Sequence, residues 1–498
     1  MPINREINTQ KNFTVWNGGF SGGLFNSING SLIPDNCLAD MKNLHVDHFG
    51  VLHSVPKPWE YTSAHVAGLS GPMKAVISNS AGVWCNRDGT LYDVGNLPTT
   101  YAAGGYQTAE SPAGGGIQWV SAGLYSPAGA NTYPTQDFPE GGSSTICEFE
   151  GRIWLNIDNI LRGSDLTNPT LEETWRGPVD PVDETTMTLA NCLIMAKLPQ
   201  VIRYLFKCNG ALYVVTYDGI YALSTFFDGT LRRIYSGGLM PLWAGDALPH
   251  IYSNGSQYSY VSGTKLVIAS GGVPQVISDK LSLPTAIQWF VTEWDNRLWF
   301  LICTEADSTG AVPNYLYSVD KDTGAWEKFD IQMTTAGAPN IDTPTCMMGS
   351  EDYAGSQFGD TLWLGTTLGK VFYFGFSSPN SVHLPWSFTT KTYTPSFDAY
   401  SRFVHFKIRY VGQAAASAVT VKQYVCRNGV AGAADTLVTR ADVTLDMIGT
   451  GGGMFQKDLE CHADLGESVY FVVSGTGKCE IADVGVEFTT KGANDVNA

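Results

Sequence analysis

The chain has 498 residues, 44% of them hydrophobic and only 15% charged, a composition that excludes a wholly disordered polypeptide. The 47 acidic and 30 basic side chains give a formal net charge of −17, which excludes a protein dominated by a basic groove for nucleic-acid phosphates. Abundant glycine (54 residues) and aromatic residues (23 Tyr, 23 Phe and 13 Trp) favour a β-rich protein with many tight turns and large buried interfaces.

Ten cysteines are scattered along the chain without a CxxC pair, at positions 37, 85, 147, 192, 208, 303, 346, 426, 461 and 479. Cys147 in TICEFEG and Cys303 in LWFLICTE lie within apolar runs, so we predict free, buried thiols. The residues MPINREINTQ lack the charged-then-apolar pattern of a secretion signal, and no apolar run approaches the ~20 residues of a membrane span. We therefore expect a soluble chain that is made in a reducing cytoplasm.

Two short glycine-rich motifs, one near each end of the chain, and three histidines near its start are the first candidates for chemistry. GFSGG at 19–23 fits G-x-S-x-G, but the residues that follow it include Asn, Gly, Ser and Pro, which disfavour the helix that a nucleophilic serine needs. GTGGGMFQK at 449–457 lacks the GK[ST] ending of a phosphate-binding loop. Neither motif therefore predicts a catalytic or nucleotide site.

The three histidines, His45, His48 and His53, have the spacing H-x2-H-x4-H. Zinc sites usually combine close His or Cys pairs on a helix or a knuckle, and no cysteine pair follows here. The runs LHV and VLHSV instead predict two strands, which put His45 and Asp47 on one face and His48 in a turn with Gly50. This pattern favours a structural hairpin over a metal site, and we expect no metal or other cofactor.

The middle of the chain repeats a hairpin pattern, in which a short apolar and aromatic run, a turn and a second such run follow one another. The pattern begins at six positions: GVWCNRDGTLYDV from Gly82, GRIWLNIDNILRGS from Gly151, GALYVVTYDGIYAL from Gly210, TKLVIASGGVPQVI from Thr264, NRLWFLICTE…NYLYSV from Asn296 and DTLWLGTTLGKVFYFG from Asp360. The pairs Asp88-Gly89, Asp218-Gly219 and Gly271-Gly272 tolerate the positive φ of two-residue hairpin turns.

Both faces of the run ALYVVTY are apolar, with Leu212, Val214 and Thr216 on one side and Tyr213, Val215 and Tyr217 on the other. A strand covered on both faces fits a radial β-propeller, here of five to seven blades with irregular insertions. Because a blade takes ~40–50 residues, the 32-residue separation of Thr264 and Asn296 predicts two hairpins of one blade. SVDKDTGAWEKF predicts a blade edge, with a turn at Asp322-Thr323-Gly324 and Trp326 packed beneath it.

Some propellers are glycosidases, and sialidase-type sites hold a carboxylate with a cluster of arginines beside a tyrosine nucleophile. Arginines occur at positions 152, 162, 176, 203, 232, 233 and 297. SVDKDTGAW resembles the Asp-box of such enzymes only loosely, and an arginine beside an aromatic residue, as in GRIW and NRLW, is explained more simply by stacking on the next blade. We therefore assign no catalytic residue and expect that the chain is not an enzyme.

From HLPWSFTTKTY onward the pattern changes. Between 401 and 425 the residues alternate strictly, with Phe403, His405, Lys407 and Arg409 facing away from Val404, Phe406, Ile408 and Tyr410. ESVYFVVSG and CEIADVGVEF repeat the alternation, which predicts an antiparallel β-sandwich. The expected organisation is all-β: an N-terminal extended segment joining the propeller (1–64), a β-propeller (65–385) and a C-terminal β-sandwich (386–498).

The segment GGLFNSINGSLIPDNCLADMKNLHVDHFGVLHSVPKPWEY resembles the N-terminal segment of the tail nozzle proteins of short-tailed phages. This family is also called tail tubular protein B or packaged-DNA stabilisation protein. In the resemblance, Asp35 and Asn36 form a turn, Asp40 and Asn43 tie the backbone, and Gly50 turns the hairpin. Such turn-stabilising roles suit Asp, Asn and Gly.

Two further stretches are similar to the same family. CEFEGRIWLNIDNILRGSDLTNPTLEETW, at 147–176, is like one of its blades, in which Ser164, Asp165, Asn168 and Pro169 would build a loop that Trp175 closes. HLPWSFTTKTYTP is like the linker into the family's C-terminal sandwich. Together the three stretches come from the start, the middle and the end of the chain.

The resemblance implies a structural virion protein, a hexameric ring around the DNA exit channel below an adaptor that contacts the portal. Its partners would be the adaptor, tail fibres or tailspikes, a needle or plug protein, and viral DNA held transiently and without sequence preference. An acidic lumen repels phosphate, so the charge of −17 fits a conduit. The alternatives are a receptor-binding or polysaccharide-degrading propeller with a carboxylate-lined axial pocket, and a cellular propeller scaffold.

Overall fold

The computed structural model describes residues 12–28, 30–61, 73–79, 82–87, 90–93, 100–101, 108–110, 118–120, 123–125, 145–157, 159–163, 194–223, 231–241, 250–270, 273–304, 314–331, 333–334, 341–350, 361–376, 382–395, 401–412, 419–426, 436–438, 453–461 and 465–490. Within these ranges the regular elements are β-strands, apart from one 3₁₀ turn at Gly30–Leu32. The prediction of an all-β protein is therefore confirmed.

The first six strands belong to a segment that we call the brace, residues 12–60. They are β1 (Asn12–Trp16), β2 (Gly23–Leu24), β3 (Cys37–Lys42), β4 (Leu44–Val46), β5 (Leu52–Ser54) and β6 (Trp59–Glu60). These strands do not form a sheet of their own. Each belongs to a sheet that also contains strands from much later in the chain. The brace is thus built into both later parts of the molecule.

Seven groups of three or four antiparallel strands follow in the described part of the chain, and we number them as blades; six are separate sheets, and blade 6 is part of a larger sheet. Blade 1 contains β7 (Met73–Asn79), β8 (Gly82–Arg87), β9 (Thr90–Asp93) and β10 (Thr100–Tyr101). Blade 2 contains β11 (Thr108–Glu110), β12 (Gln118–Val120) and β13 (Gly123–Tyr125). Blade 3 contains β14 (Ile146–Phe149), β15 (Arg152–Ile157), β16 (Ile160–Gly163) and β17 (Ile194–Lys197).

Blades 4 to 7 follow in the same way. Blade 4 contains β18 (Ile202–Cys208), β19 (Ala211–Thr216), β20 (Ile220–Leu223) and β21 (Arg232–Tyr235). Blade 5 contains β22 (Tyr252–Ser253), β23 (Tyr258–Ser262), β24 (Lys265–Ser270) and β25 (Val273–Val276). Blade 6 contains β26 (Gln288–Trp294), β27 (Arg297–Cys303), β28 (Asn314–Asp320) and β29 (Trp326–Phe329). After the hairpin of β30 (Met333–Thr334) and β31 (Ile341–Asp342), blade 7 contains β32 (Pro344–Ser350), β33 (Thr361–Thr366) and β34 (Val371–Phe374).

A ring of seven blades has seven neighbouring pairs, and six of these pairs contact each other through their first strands. Among the described residues this holds from β11 to β14, then to β18, β22, β26 and β32, and from β32 back to β7 of blade 1. Such contacts between innermost strands are the geometry of a β-propeller. Seven blades lie at the upper end of the predicted range.

Strand β6 of the brace completes the last blade. Trp59 and Glu60 pair antiparallel with Tyr373 and Phe372 of β34, and the Nζ atom of Lys370 lies 2.7 Å from Oε1 of Glu60. Since β6 precedes blade 1 in the chain, its pairing with blade 7 ties the two ends of the ring together.

Strand β19 confirms the prediction that both of its faces are covered. All six of its residues are buried. Leu212 and Val214 pack in a core shared with blade 3, whereas Tyr213 and Val215 pack in a core shared with blade 5. The alternation of apolar side chains therefore reflects two neighbouring blades, one on each face.

Two details of the predicted hairpins are wrong. The hairpins that begin at Thr264 and Asn296 belong to two blades, 5 and 6. Blade 5 takes its inner pair from β22 and β23, of two and five residues, and the Thr264 hairpin is its outer pair. At Asp218-Gly219 neither residue has a positive φ, since a longer turn spans Thr216 to Gly219 and the Thr216 hydroxyl donates to Oδ1 of Asp218 at 2.6 Å. The other two turn pairs lie outside the described residues.

The C-terminal strands are β35 (Trp386–Thr390), β36 (Ser401–Val411), β37 (Val419–Cys426), β38 (Thr436–Val438), β39 (Met454–Glu460), β40 (Leu465–Gly466), β41 (Ser468–Gly475) and β42 (Glu480–Thr490). One sheet contains β39, β36 and β42, with β1, β5 and β4 added from the brace. The other contains β35, β41, β37 and β38. The rings of Phe406 and Phe471 stack at 4.3 Å between the two sheets, as in a β-sandwich.

The predicted strict alternation along β36 is broken once. A β-bulge lies between Phe403 and His405, so Phe403 is buried on the same side as Phe406 and Ile408 instead of opposite them. A bulge adds one residue to one strand of a pair and thereby shifts the alternation. The sequence pattern misplaced Phe403 because a bulge leaves no mark on the order of polar and apolar residues.

Candidate functional site

The brace joins the propeller to the sandwich through one continuous sheet of ten strands. The order is β26-β27-β28-β29 of blade 6, then β2 and β3 of the brace, then β35-β41-β37-β38 of the sandwich. Gly23 pairs with Trp326 on one side and with Cys37 on the other, and Lys42 pairs with Ser387. Because main-chain hydrogen bonds run across the whole junction, the two parts are coupled as strands of one sheet are.

A buried carboxylate fixes this junction. Glu327 of β29 is fully buried. Its Oε1 accepts a hydrogen bond from the main-chain N–H of Val46 at 2.7 Å and lies 3.2 Å from Nδ1 of His45. Its Oε2 accepts from the hydroxyl of Ser318 at 2.9 Å. Glu327, a side chain of blade 6, therefore holds strand β4 of the histidine hairpin at His45 and Val46.

Arg297 supplies the opposite charge. Its Nη1 lies 2.8 Å from Oε1 of Glu327 in an ion pair, and its Nη2 donates to the carbonyl of Val46 at 2.9 Å and to Oδ2 of Asp320 at 3.1 Å. Burial by itself would raise the pKa of Glu327, but the Arg297 guanidinium and His45 outweigh burial and lower it. Glu327 is thus held as a carboxylate inside the junction.

The three histidines His45, His48 and His53 each contact another side chain of the protein. His45 stacks on Phe376 at 3.9 Å besides contacting Glu327. His53 Nε2 lies 3.0 Å from Oδ2 of Asp47, and His48, in the turn before Gly50, contacts the ring of Phe49. No three His, Cys, Asp or Glu side chains within the described ranges are arranged to hold a metal ion. The contacts of His45 tie the hairpin to blade 6.

Residues that carry the family resemblance occupy turns and backbone contacts. Asp35 and Asn36 lie in a turn. Asn43, with φ of 56°, donates from Nδ2 to the carbonyl of Pro385 at 2.7 Å and accepts on Oδ1 from the N–H of Asp330 at 2.8 Å. Asp40 differs: it lies 3.8 Å from Lys328 in a surface ion pair. Asn43 therefore links the brace to both blade 6 and the start of β35.

The glycines of GFSGG have a packing role. Gly23 has φ of 62°, and a Cβ there would come within 2.4 Å of the carbonyl oxygen of Trp326. A Cβ on Gly22 would meet the Cys37 sulfur at 2.2 Å. Ser21 accepts a hydrogen bond from Nδ2 of Asn36 at 3.0 Å. Close approach of the brace to β29 explains this motif better than a nucleophilic serine does.

Three of the described propeller arginines, Arg203, Arg233 and Arg297, have partners close by. Arg203 lies over the ring of Tyr217 at 4.9 Å, and Arg233 lies over that of Tyr221 at 5.9 Å, both within blade 4. Arg297 belongs to the junction. Arg152 is buried in blade 3, and Arg232 is exposed. Arg176 and the loop residues Ser164, Asp165, Asn168, Pro169 and Trp175 lie outside the described residues, as do 449–452, whereas 454–457 begin strand β39.

The turn predicted at Asp322-Thr323-Gly324 is confirmed. Asp320 accepts on Oδ1 from the N–H groups of Asp322 at 3.0 Å and Thr323 at 2.7 Å, and Gly324 has φ of 68°. Trp326 is buried beneath the turn. The same segment holds Glu327, which sequence reasoning missed. A charged residue beside a buried tryptophan in a blade strand is the signal that could have found it.

The cysteines confirm the predicted free thiols where they are described. Eight are free, and all but the partly exposed Cys461 are buried. Burial raises the pKa of Cys147 and of Cys303 to about 12, and that of Cys479 likewise. These sulfurs are therefore protonated and unreactive at neutral pH.

The chain matches no protein-family model and no curated protein sequence. Among solved structures it is similar to the extracellular domain of a putative one-component system from B. thetaiotaomicron, at 10% identity and a TM-score of 0.40, over 90% of this chain and 62% of that one. The N-terminal domain of Nup159 is similar at 8% identity and a TM-score of 0.36, over 67% and 97% of the two chains. An exo-β-1,3-galactanase from Phanerochaete chrysosporium is similar at 9% identity and a TM-score of 0.21, over 68% and 96%.

This chain thus spans less than two thirds of the first of these structures. Similarity at these TM-scores supports no conclusion about activity, so the propeller is assigned from the strand pairing of this chain itself. In the described part of the chain, no helix is both long enough and apolar enough to cross a membrane.

Proposed function

We propose that this chain is a structural protein of the tail nozzle of a short-tailed phage, assembled in the host cytoplasm as a ring of six and carried in the virion. It extends the channel through which DNA leaves, retains packaged DNA, and presents surfaces to an adaptor above and to fibres, spikes or a plug. The proposal starts from the resemblance of residues 22–61, 147–176 and 383–395 to that family.

The observation that carries the proposal is the ten-stranded sheet through the brace. A channel wall has to keep its shape while DNA moves along it, so a flexible linker between propeller and sandwich would be a poor joint. Here the residues that carry the resemblance are those that make the joint. Gly23, Asn43 and Val46 each contact blade 6 through the main chain or through a buried side chain.

The charge of the chain supports a conduit for DNA. A net charge of −17 keeps phosphate from adhering to the wall, since like charges repel across a narrow aqueous passage. Contact with DNA is then transient and independent of sequence, because base readout needs donors and cations placed in the grooves. A heterologous contact repeated around one axis would close the ring.

The proposal is tested by assembly with the adaptor of the same phage. Purified chain is measured by size-exclusion chromatography with multi-angle light scattering, alone and with the complex of portal and adaptor. We expect six copies to join each adaptor complex. A chain that stays monomeric in the presence of the assembled adaptor complex would exclude the nozzle role, and hydrolysis of host surface polysaccharide by the pure chain would favour the enzymatic alternative.

A further inference from the structure

We infer that a cleft between blades 5 and 6 binds an acidic saccharide, with Lys280 pairing to the carboxylate of a uronate residue. This inference is independent of the nozzle proposal. The cleft has a volume of about 450 Å³, which lies within the range of small-molecule sites. Its walls come from the face of blade 5 and from the end of blade 6 that carries the turn after β28.

The rim of the cleft carries side-chain amides. Asn254, Gln257 and Gln275 line it and are exposed to solvent. Oδ1 of Asn254 accepts from the main-chain N–H of Gln257 at 2.8 Å. This hydrogen bond fixes the orientation of the amide, with its NH₂ group pointing away from that N–H. An amide offers both a donor and an acceptor, and so does a sugar hydroxyl. Three amides at one rim therefore match a polyhydroxylated ligand.

The inner wall is apolar. Leu298 and Val319 of blade 6 and Ile268 and Tyr252 of blade 5 contribute the apolar surface. A pyranose ring presents C–H groups on its faces and hydroxyls at its edge, which suits an apolar wall below a polar rim. An extended peptide suits the cleft less well, because the neighbouring edge strand β25 contains Pro274, which has no N–H to donate to an added strand.

Lys280 provides the charge. Its carbonyl accepts from the N–H groups of Asn26 at 2.9 Å and Ser27 at 3.1 Å, so the brace fixes its backbone at the cleft. Two carboxylates also line the cleft, and each has a cation of its own: Glu293 pairs with Lys321, and Asp320 pairs with Arg297. Within the described ranges no carboxylate pairs with the ammonium of Lys280. An unpaired ammonium beside three amides selects a ligand that has one carboxylate among hydroxyls.

The experiment is isothermal titration calorimetry with trigalacturonate. Maltotriose is the neutral control of equal length, and triglutamate is the control for a carboxylate without sugar hydroxyls. We expect trigalacturonate to bind and both controls to bind at least tenfold more weakly. Lys280→Gln should weaken trigalacturonate binding roughly tenfold, the loss expected for one charge-assisted contact.

Lys265→Gln is the matched variant, because Lys265 is an exposed lysine of the same blade outside the cleft. It should bind as the wild type does, and both variants should keep the wild-type thermal unfolding temperature. Absence of trigalacturonate binding, equal losses in the two variants, or preferred binding of triglutamate would each overturn the inference. Assembly with the adaptor should be unchanged by Lys280→Gln, so this inference and the nozzle proposal fail separately.

Discussion

Two clusters in this molecule combine a histidine, a glutamate and a basic side chain, and they differ in burial. At the junction, the side chains of Glu327 and Arg297 are 0% and 4% exposed. On the sandwich, Glu487 and Lys407 are each 14% exposed, His405 is 3.2 Å from Glu487, and Lys407 also pairs with the more exposed Asp458. Similar sets of charged side chains can therefore fix the junction of two domains where they are buried and form an ion-pair network at the surface where water reaches them.

The physical reason is the cost of leaving a charge without a partner. Removing one member of a buried pair strands the other in a low-dielectric environment, whereas water solvates the survivor of an exposed pair. The lower pKa of Glu487 arises first from its hydrogen bond with Lys407, against a desolvation that raises it. At Glu327, burial opposes the charge more strongly and the partners have to overcome it.

The largest effect is expected for Arg297→Met. This change leaves the Glu327 carboxylate buried beside Val46 without its cation, so we expect a loss of about 3–5 kcal/mol in the free energy of unfolding. Urea unfolding followed by tryptophan fluorescence measures it, since Trp326 precedes Glu327 in β29. A loss below 1 kcal/mol would show that the buried network does not hold the junction.

A second large effect is expected where the brace touches β29. Gly23→Ala adds a Cβ within 2.4 Å of the Trp326 carbonyl oxygen at a φ of 62°, and we expect a loss of about 2–4 kcal/mol from backbone strain and displacement of β2. Gly210→Ala is the matched control, because it has a similar φ of 67° but open space around the added Cβ. Equal losses in the two variants would mean that close approach at Gly23 contributes nothing.

The acid dependence of stability separates the two glutamates. Because the folded-state pKa of Glu327 lies below its unfolded value, its contribution is present above pH ~4.3 and is lost as the pH falls through the folded pKa. Glu327→Gln should therefore flatten the fall in unfolding free energy below that pH more than Glu487→Gln does. Thermal unfolding of both variants between pH 3 and pH 7 measures the difference, and identical profiles would contradict it.

The smallest effect is expected for Lys407→Met. Its pKa is raised, first by the hydrogen bond with Glu487 and against the effect of burial, but water reaches the pair. We expect a loss of at most about 1 kcal/mol in the free energy of unfolding, reduced further by salt. The same urea assay at low and high salt tests it. A loss as large as that of Arg297→Met would erase the distinction between the two clusters.

Much of the fold could be predicted because its signals are local. Alternating apolar residues and turns within a few positions identified the hairpins of blades 1 and 3 to 7 and the long strands β36 and β42. The turn at Asp322-Thr323-Gly324 followed from side chains that bond to their own backbone. The histidine hairpin was predicted for the same reason, since its strands β4 and β5 pair directly.

The junction could not be predicted because its partners are far apart in the chain. Arg297 reaches the carbonyl of Val46 across 251 residues, and β1 pairs with the last strand, Asn12 opposite Thr489. No periodicity connects such positions. The 32-residue separation of Thr264 and Asn296 led to the wrong prediction that their two hairpins form one blade. The inner strand β22 of blade 5 has only two residues, too few to show an alternating pattern in the sequence.

The central claim is that this chain forms the wall of a tail channel, with propeller and sandwich joined rigidly by the brace. Electron cryomicroscopy of the intact phage particle tests it most directly. The account predicts six copies around the channel axis below the adaptor, each with the brace continuous between blade 6 and the sandwich. A particle whose channel wall contains no copy of this chain, or copies in which the sandwich is detached from blade 6, would contradict it.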